Sequence, residues 1–148
     1  CFALSGKVAK ITLLNRTLTR AECLAQDLFR SAGQAIEAGP LDRGALSQAL
    51  GEAHLLINTS ILGMSPGNGE TPVTTDLLFH GLTVVDIVYN PVRTRLLLEA
   101  ERAGAATVNG LGMLVNQGAL AFEIWTGRKA PLDIMNEAAI RAMEEYEN

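Results

Sequence analysis

Between Val84 and Trp125 the chain reads VVDIVYNPVRTRLLLEAERAGAATVNGLGMLVNQGALAFEIW, and that order of residues narrows the fold to a parallel α/β sheet. Val84-Val85 is a short β-branched run, and Asp86 stands where such a strand runs out, fixing the loop that follows. Asn90-Pro91 breaks the backbone, because a residue before proline is pushed out of the helical region. Thr94 opens a helix whose Leu96, Leu97, Ala100 and Ala103 recur at helical spacing, and Gly104 closes it. Ala106-Thr107-Val108 supplies the next strand. Gly110-Leu111-Gly112 then reads as a glycine turn from which the backbone can approach a ligand closely. A second helix carries Met113, Gln117, Leu120, Ala121 and Ile124 on overlapping faces. Strands joined through helices in this way run parallel with right-handed crossovers. Open α/β sheets bind ligands at the carboxyl ends of their strands, and the pattern brings Tyr89 and Gln117 there.

The remainder of the chain continues the alternation. Lys7 to Leu14 predicts a strand, and Thr19 to Glu22 fits a capping box ahead of a helix running through Leu24, Leu28 and Phe29 to Gly33. Ala35 to Ala38 predicts a weak strand ended by Gly39-Pro40, and Asp42 to Leu50 a short helix. His54 to Asn58 predicts a strand buried on both faces. Thr59 to Pro72 is a long loop dense in Gly, Ser, Asn and Pro, and loops of this length in compact domains are usually functional or disordered. Thr75 to Phe79 predicts one helical turn, and Pro131 starts a last helix through Met143 and Tyr146, with Arg141 and the glutamates on a solvated face. Residues 1–148 read as one nucleotide-binding domain, without an internal boundary.

Composition excludes several classes. The net charge of −4 and the absence of any basic stripe argue against nucleic acid as a partner. No apolar run approaches the roughly 20 residues needed to span a membrane, and no secretory signal is visible, so cytoplasm is the expected location. Cys1 and Cys23 suit a reducing compartment and are too few for a zinc site. His54 and His80 have no Cys, His or acid at ligand spacing, so no metal site is expected.

Asn15-Arg16-Thr17 follows a predicted strand directly, with no acidic residue to receive a ribose 2′-hydroxyl. The planar guanidinium of Arg16 can instead make two parallel hydrogen bonds to a 2′-phosphate, and Thr17 can add a hydroxyl. Asn58-Thr59-Ser60, followed by Gly63-Met64, puts uncharged polar groups at another strand end, where they suit ribose or diphosphate contacts. Met113 and Gln117 share a helix face, and an amide that both donates and accepts suits a polyhydroxylated acid.

The pairing DxxYNPxxTxLL and NGLGMLxxQGAxAFExW, together with the Asn58–Met64 segment, resembles the C-terminal signature of the shikimate dehydrogenase family, and the resemblance runs from Asn15 to the last helix. It implies a Rossmann-like, doubly wound parallel sheet binding NADP. It also implies an NADPH-dependent, reversible reduction of 3-dehydroshikimate to shikimate in aromatic amino-acid biosynthesis. By the same resemblance Asn15, Arg16, Thr17, Asn58, Thr59, Ser60, Ile87, Gly110 and Met113 face the cofactor, while Tyr89 and Gln117 face the substrate. The expected partners are a small-molecule substrate and, left open, a second copy in a homodimer; neither nucleic acid nor membrane is expected.

Two parts of the family's machinery have no counterpart here. The glycine-rich turn that holds a pyrophosphate, and the strand before it, are not among these residues. Cys1 to Ser5, closed by Gly6, reads as the end of a crossover helix, which places that strand and turn upstream. The family's proton donor is a Lys–Asp pair in a separate substrate domain; Lys7, Lys10 and Lys129 match no such motif, so no catalytic residue is assigned in this chain. A non-catalytic nucleotide-binding module and a quinate/shikimate dehydrogenase relative stand as alternatives.

Overall fold

The computed structural model describes residues 1–147. The chain divides into two compact units, Cys1–Glu52 and Ala53–Asn148. Every strand pairing in both is parallel, so the fold is of the α/β class.

The first unit is a β-α-β-α run. β1 (Thr12–Asn15) pairs with β2 (Glu37–Pro40) across α1 (Leu18–Ala32), and α2 (Arg43–Leu50) follows. β1 starts later than Lys7 because a strand extends only where it has a ladder partner, and β2 offers one only from Thr12 to Asn15. β2 likewise lies two residues beyond the run read from sequence. The capping box at Thr19–Glu22 does not form. Asn15 Oδ1 accepts a hydrogen bond from the Thr17 amide at 2.9 Å, which turns the chain at once, so the helix starts at Leu18 with Thr17 as its cap residue. Gly33 closes α1 at φ 68°, donating its amide to the Phe29 carbonyl, and the Asp42 carboxylate caps α2 by accepting from the Ala45 amide at 2.8 Å. Buried Ala21 and Leu28 of α1 and Leu46 and Leu50 of α2 form the apolar side of these helices. The segment before Gly6 is a 3-10 turn over Phe2–Leu4, not the end of an α-helix.

In the second unit β3 (Leu55–Asn58), β4 (Thr83–Asp86) and β5 (Ala106–Val108) lie in the order β3-β4-β5. α3 (Arg95–Arg102) crosses between β4 and β5 and buries Leu96, Leu97 and Ala100, while Val84 of β4 is also fully buried. Thr94 caps α3 as read from sequence, its hydroxyl accepting from the Leu97 amide at 3.4 Å. β3 is not buried on both faces. It has a ladder partner only in β4, and its Leu55 and Ile57 side chains are open while Asn58 is buried. Among the described residues β1 pairs with β2 alone, so the parallel strands lie in two sheets.

α4 (Leu111–Thr126) and α5 (Leu132–Glu147) pack on each other, with Gly118 facing the Met135 methyl. The buried positions of α4 are Val115 and Ala119, whereas Met113, Leu120 and Ile124 lie exposed. α4 is apolar on most sides, so periodicity alone does not select which stripe is buried. Arg141 pairs with Glu137 on the solvated side of α5. No helix among the described residues is long and apolar enough to cross a membrane.

Candidate functional site

Parallel strands bring their carboxyl ends to one edge. In the second unit that edge collects Asn58, Thr59 and Ser60 after β3, Ile87 and Tyr89 after β4, and Gly110 after β5. At its centre is a carboxylate with no exposure to solvent. Asp86 and Asn58 are direct neighbours in the β3–β4 ladder, so residues far apart in sequence stand side by side on one sheet face. Asp86 Oδ1 accepts from Asn58 Nδ2 at 2.9 Å and from the Val88 amide at 3.1 Å. Asp86 Oδ2 accepts from the Thr94 hydroxyl at 2.7 Å.

Asn58 is only 5% exposed, and its amide is occupied. Its Oδ1 accepts from the amide and hydroxyl of Ser60 at 3.0 and 2.7 Å. The Ser60 hydroxyl in turn accepts from the Leu62 amide at 3.2 Å. The Asn58 and Ser60 side chains, expected to face a ligand, shape the turn after β3 through these bonds. Thr59, between them, points outward and is exposed. Gly63 lies at φ +89°, and a Cβ there would come within 3.3 Å of the Glu70 carbonyl and 3.6 Å of Thr94 Cβ, so the loop folds tightly onto the cap of α3. The Ser65 amide donates to the Asn90 carbonyl at 2.9 Å, joining the loop after β3 to the loop after β4.

Backbone packing alone requires glycine at position 110. A Cβ on it would stand 2.3 Å from the Ile87 carbonyl oxygen and 2.8 Å from that of Val88. The start of α4 is therefore pressed against the backbone of the β4 loop, and the Gly110 amide donates to the Val88 carbonyl at 3.3 Å. The expected glycine turn is a helix start, with Gly110 at the cap and Gly112 already inside α4, where an added Cβ would meet nothing within 4 Å. Ile87 is half-buried beside this contact.

Beyond this packed base, several groups stay available. Tyr89 is 39% exposed, Met113 48%, and Gln117 is exposed on the same face of α4; neither the Tyr89 hydroxyl nor the Gln117 amide has a hydrogen-bond partner among the described residues. In the first unit Arg16 lies one residue past the carboxyl end of β1, exposed and without an ion-pair or hydrogen-bond partner among the described residues. Thr17 is exposed beside it and its hydroxyl makes no cap bond. Asn15 spends its side-chain oxygen on the Thr17 amide, so it holds the turn that presents Arg16.

Thr75 and Arg95 hold Glu99, which is nearly buried, through hydrogen bonds of 2.8 and 2.7 Å. The Arg95 guanidinium lowers the Glu99 pKa below the usual carboxylate value, against burial that would raise it, and the Thr75 hydroxyl helps. Arg95 also donates to the Gly69 carbonyl, a further anchor for the loop after β3. His80 Nδ1 lies 3.2 Å from the Gly104 carbonyl, a structural use of that residue. No cluster of His, Cys, Asp and Glu suited to a metal occurs among the described residues. A shallow groove beside α1, lined by Ala25, Phe29, Arg30 and Ile36, contains none of the site residues.

Sequence reasoning found the exposed groups and the cap at Thr94, but missed the network around Asp86. Its signal was present: an acid ending one strand, an Asn ending the strand before it, and a Thr opening the next helix.

Residues 110–140 match the family described as the shikimate 5′-dehydrogenase C-terminal domain. A shikimate dehydrogenase (NADP(+)) of Methanopyrus kandleri is 49% identical over 132 residues, which is 88% of this chain and 46% of the relative. A shikimate dehydrogenase crystallised in complex with NADP+ superposes with a TM-score of 0.84 at 35% identity, covering 96% of this chain and 49% of that one. A quinate dehydrogenase from Corynebacterium glutamicum, in complex with NAD, gives 0.85 at 26% identity over 95% of this chain and 49% of that one. The chain thus spans about half the length of the proteins it matches. With the strand-end site, the Asp86-to-Thr94 loop and the α4 signature in place, the chain belongs to the shikimate dehydrogenase family.

Proposed function

We propose that this chain is the NADP-binding part of a shikimate dehydrogenase, an oxidoreductase that interconverts 3-dehydroshikimate and shikimate in the cytoplasm. The observation that carries the cofactor choice is Arg16: an exposed guanidinium at a strand end, with no partner among the described residues and no acid beside it to select a 2′-hydroxyl. A 2′-phosphate fits that donor set, with Thr17 adding a hydroxyl and Asn15 holding the turn. Bound NADP(H) supplies the hydride. Ile87, Gly110 and Met113 form the floor beside the reacting ring, with Thr59 open to the ribose or diphosphate, and Asn58 and Ser60 act by fixing the turn that carries Thr59. Tyr89 and Gln117 hold the hydroxyls and carboxylate of the substrate. This reading gives the proton transfer to groups outside these 148 residues.

The likeness to a quinate dehydrogenase bound to NAD favours a second reading, in which the substrate is quinate and the cofactor lacks the 2′-phosphate. The two separate in one experiment on the complete enzyme. Arg16→Ala is expected to weaken NADP binding by about 1.5–3 kcal/mol, the range for a hydrogen bond to a charged group, and to leave NAD binding almost unchanged. Equal losses for both cofactors would remove the 2′-phosphate assignment. Turnover of quinate but not shikimate by the parent would select the second reading.

A further inference from the structure

We propose that Asp86 is a positioning residue that couples the cofactor side of the site to the substrate side. The proposal rests on the functional reading above for the identity of the two ligands, but its geometry stands without it.

A fully buried carboxylate can accept several hydrogen bonds, and an unmet oxygen there is costly. Asp86 meets this condition by bonding to three separate segments. Asn58 Nδ2, at 2.9 Å, belongs to the end of β3, and the same side chain's Oδ1 sets the turn carrying Thr59. The Val88 amide, at 3.1 Å, belongs to the loop carrying Tyr89. The Thr94 hydroxyl, at 2.7 Å, belongs to the cap of α3. Val88 passes the constraint on, because its carbonyl receives the Gly110 amide at the start of α4, the helix of Met113 and Gln117. Each segment touching a ligand in the second unit is therefore one or two hydrogen bonds from the same carboxyl group. A charge placed there for chemistry would face solvent or a ligand; this one faces neither, and all its partners are donors within the protein. Shifting one loop requires Asp86 to release a donor, so the position of the Tyr89 loop depends on the position of the Thr59 turn.

The test is Asp86→Asn in the complete enzyme. The amide keeps one acceptor for Asn58 and Val88, but replaces Oδ2 by a donor, so the Thr94 hydroxyl proton loses its acceptor. Leu82→Val, which opens a cavity in a fully buried residue at the amino end of β4, serves as the stability control. Asp86→Asn is expected to raise the KM for shikimate and the Kd for NADP together, each about fivefold or more, whereas Leu82→Val lowers Tm without moving either. Thr94→Val should reproduce the paired loss, and Thr94→Ser, which retains the hydroxyl, should recover it. Amide hydrogen exchange in residues 60–65 and 87–90 is expected to quicken in Asp86→Asn and not in Leu82→Val. Affinities within twofold of the parent, with a fall in Tm matching the control, would reduce Asp86 to a fold-stabilising residue. Loss of one affinity alone would overturn the coupling. If the parent turns over no shikimate, the functional reading fails, and the exchange measurement still decides the proposal: unchanged rates in both segments refute it.

Discussion

Replacing Gly110 with alanine isolates the contact that sets α4 against the β4 loop. The added Cβ would lie 2.3 Å from the Ile87 carbonyl oxygen, 2.6 Å from its carbon and 2.8 Å from the Val88 oxygen, where real Cβ contacts stay above 3.0 Å. All three atoms are backbone, so no side chain can rotate away. Either the helix start moves outward by several tenths of an ångström or the loop does, and the 3.3 Å bond from the Gly110 amide to Val88 is strained in both cases. Overpacking a tight interior costs about 1–3 kcal/mol, and the rigidity of these neighbours places Gly110→Ala at about 3 kcal/mol. Gly112→Ala, two residues on in the same helix, is the matched comparison. Its Cβ would meet nothing, and replacing a helical glycine by alanine stabilises by about 0.5–1 kcal/mol. Urea unfolding of the complete enzyme measures both changes. A Gly110→Ala variant within about 0.5 kcal/mol of the parent would refute the close-approach argument.

Gln117→Ala should raise the KM for shikimate by an amount equivalent to about 1–3 kcal/mol while NADP affinity stays within about twofold; unchanged shikimate kinetics would remove Gln117 from the substrate site. Glu99 has a folded pKa below its ordinary 4.5 because of Arg95, so its contribution to stability is fully present above that unfolded value. It is lost as pH falls through the lower folded pKa, and urea unfolding across pH 6 to 3 should show a shallower acid slope in Arg95→Met than in the parent.

The helices were legible because their punctuation is local: Gly33, Gly104 and Gly127 take positive φ at helix ends, and Asp42 and Thr94 bond to the first turn they cap. Strand limits were less so, since the extent of β1 depends on how many residues β2 offers opposite it, and nothing in Lys7–Ile11 records that. Glycine identity misled for a similar reason. Gly110 and Gly112 look alike in sequence, yet one abuts backbone of the loop after β4 and the other meets open space. The exposed candidates Arg16, Tyr89 and Gln117 could be read from residue type and strand-end position. Asn58 could not, because whether an amide points to a ligand or to Asp86 is decided by the register of β3 on β4.

The loop after β3 is fastened at Ser60 by Asn58, at Ser65 by Asn90 and at Gly69 by Arg95. These fastenings make it a ruler as well as a cover. The intervals between them are short, and each end is tied to a different rigid element, so the spacing of the ties fixes how many residues fit between them. Surface loops ordinarily absorb inserted residues at little thermodynamic cost. Here an insertion between Ser60 and Ser65 would have to detach one tie or displace the buried Gly63 from the cap of α3. Room for added length therefore lies at Pro66–Asn68, between the second and third ties, where Pro66 and Asn68 face solvent, and a tag or reporter graft into this chain belongs there.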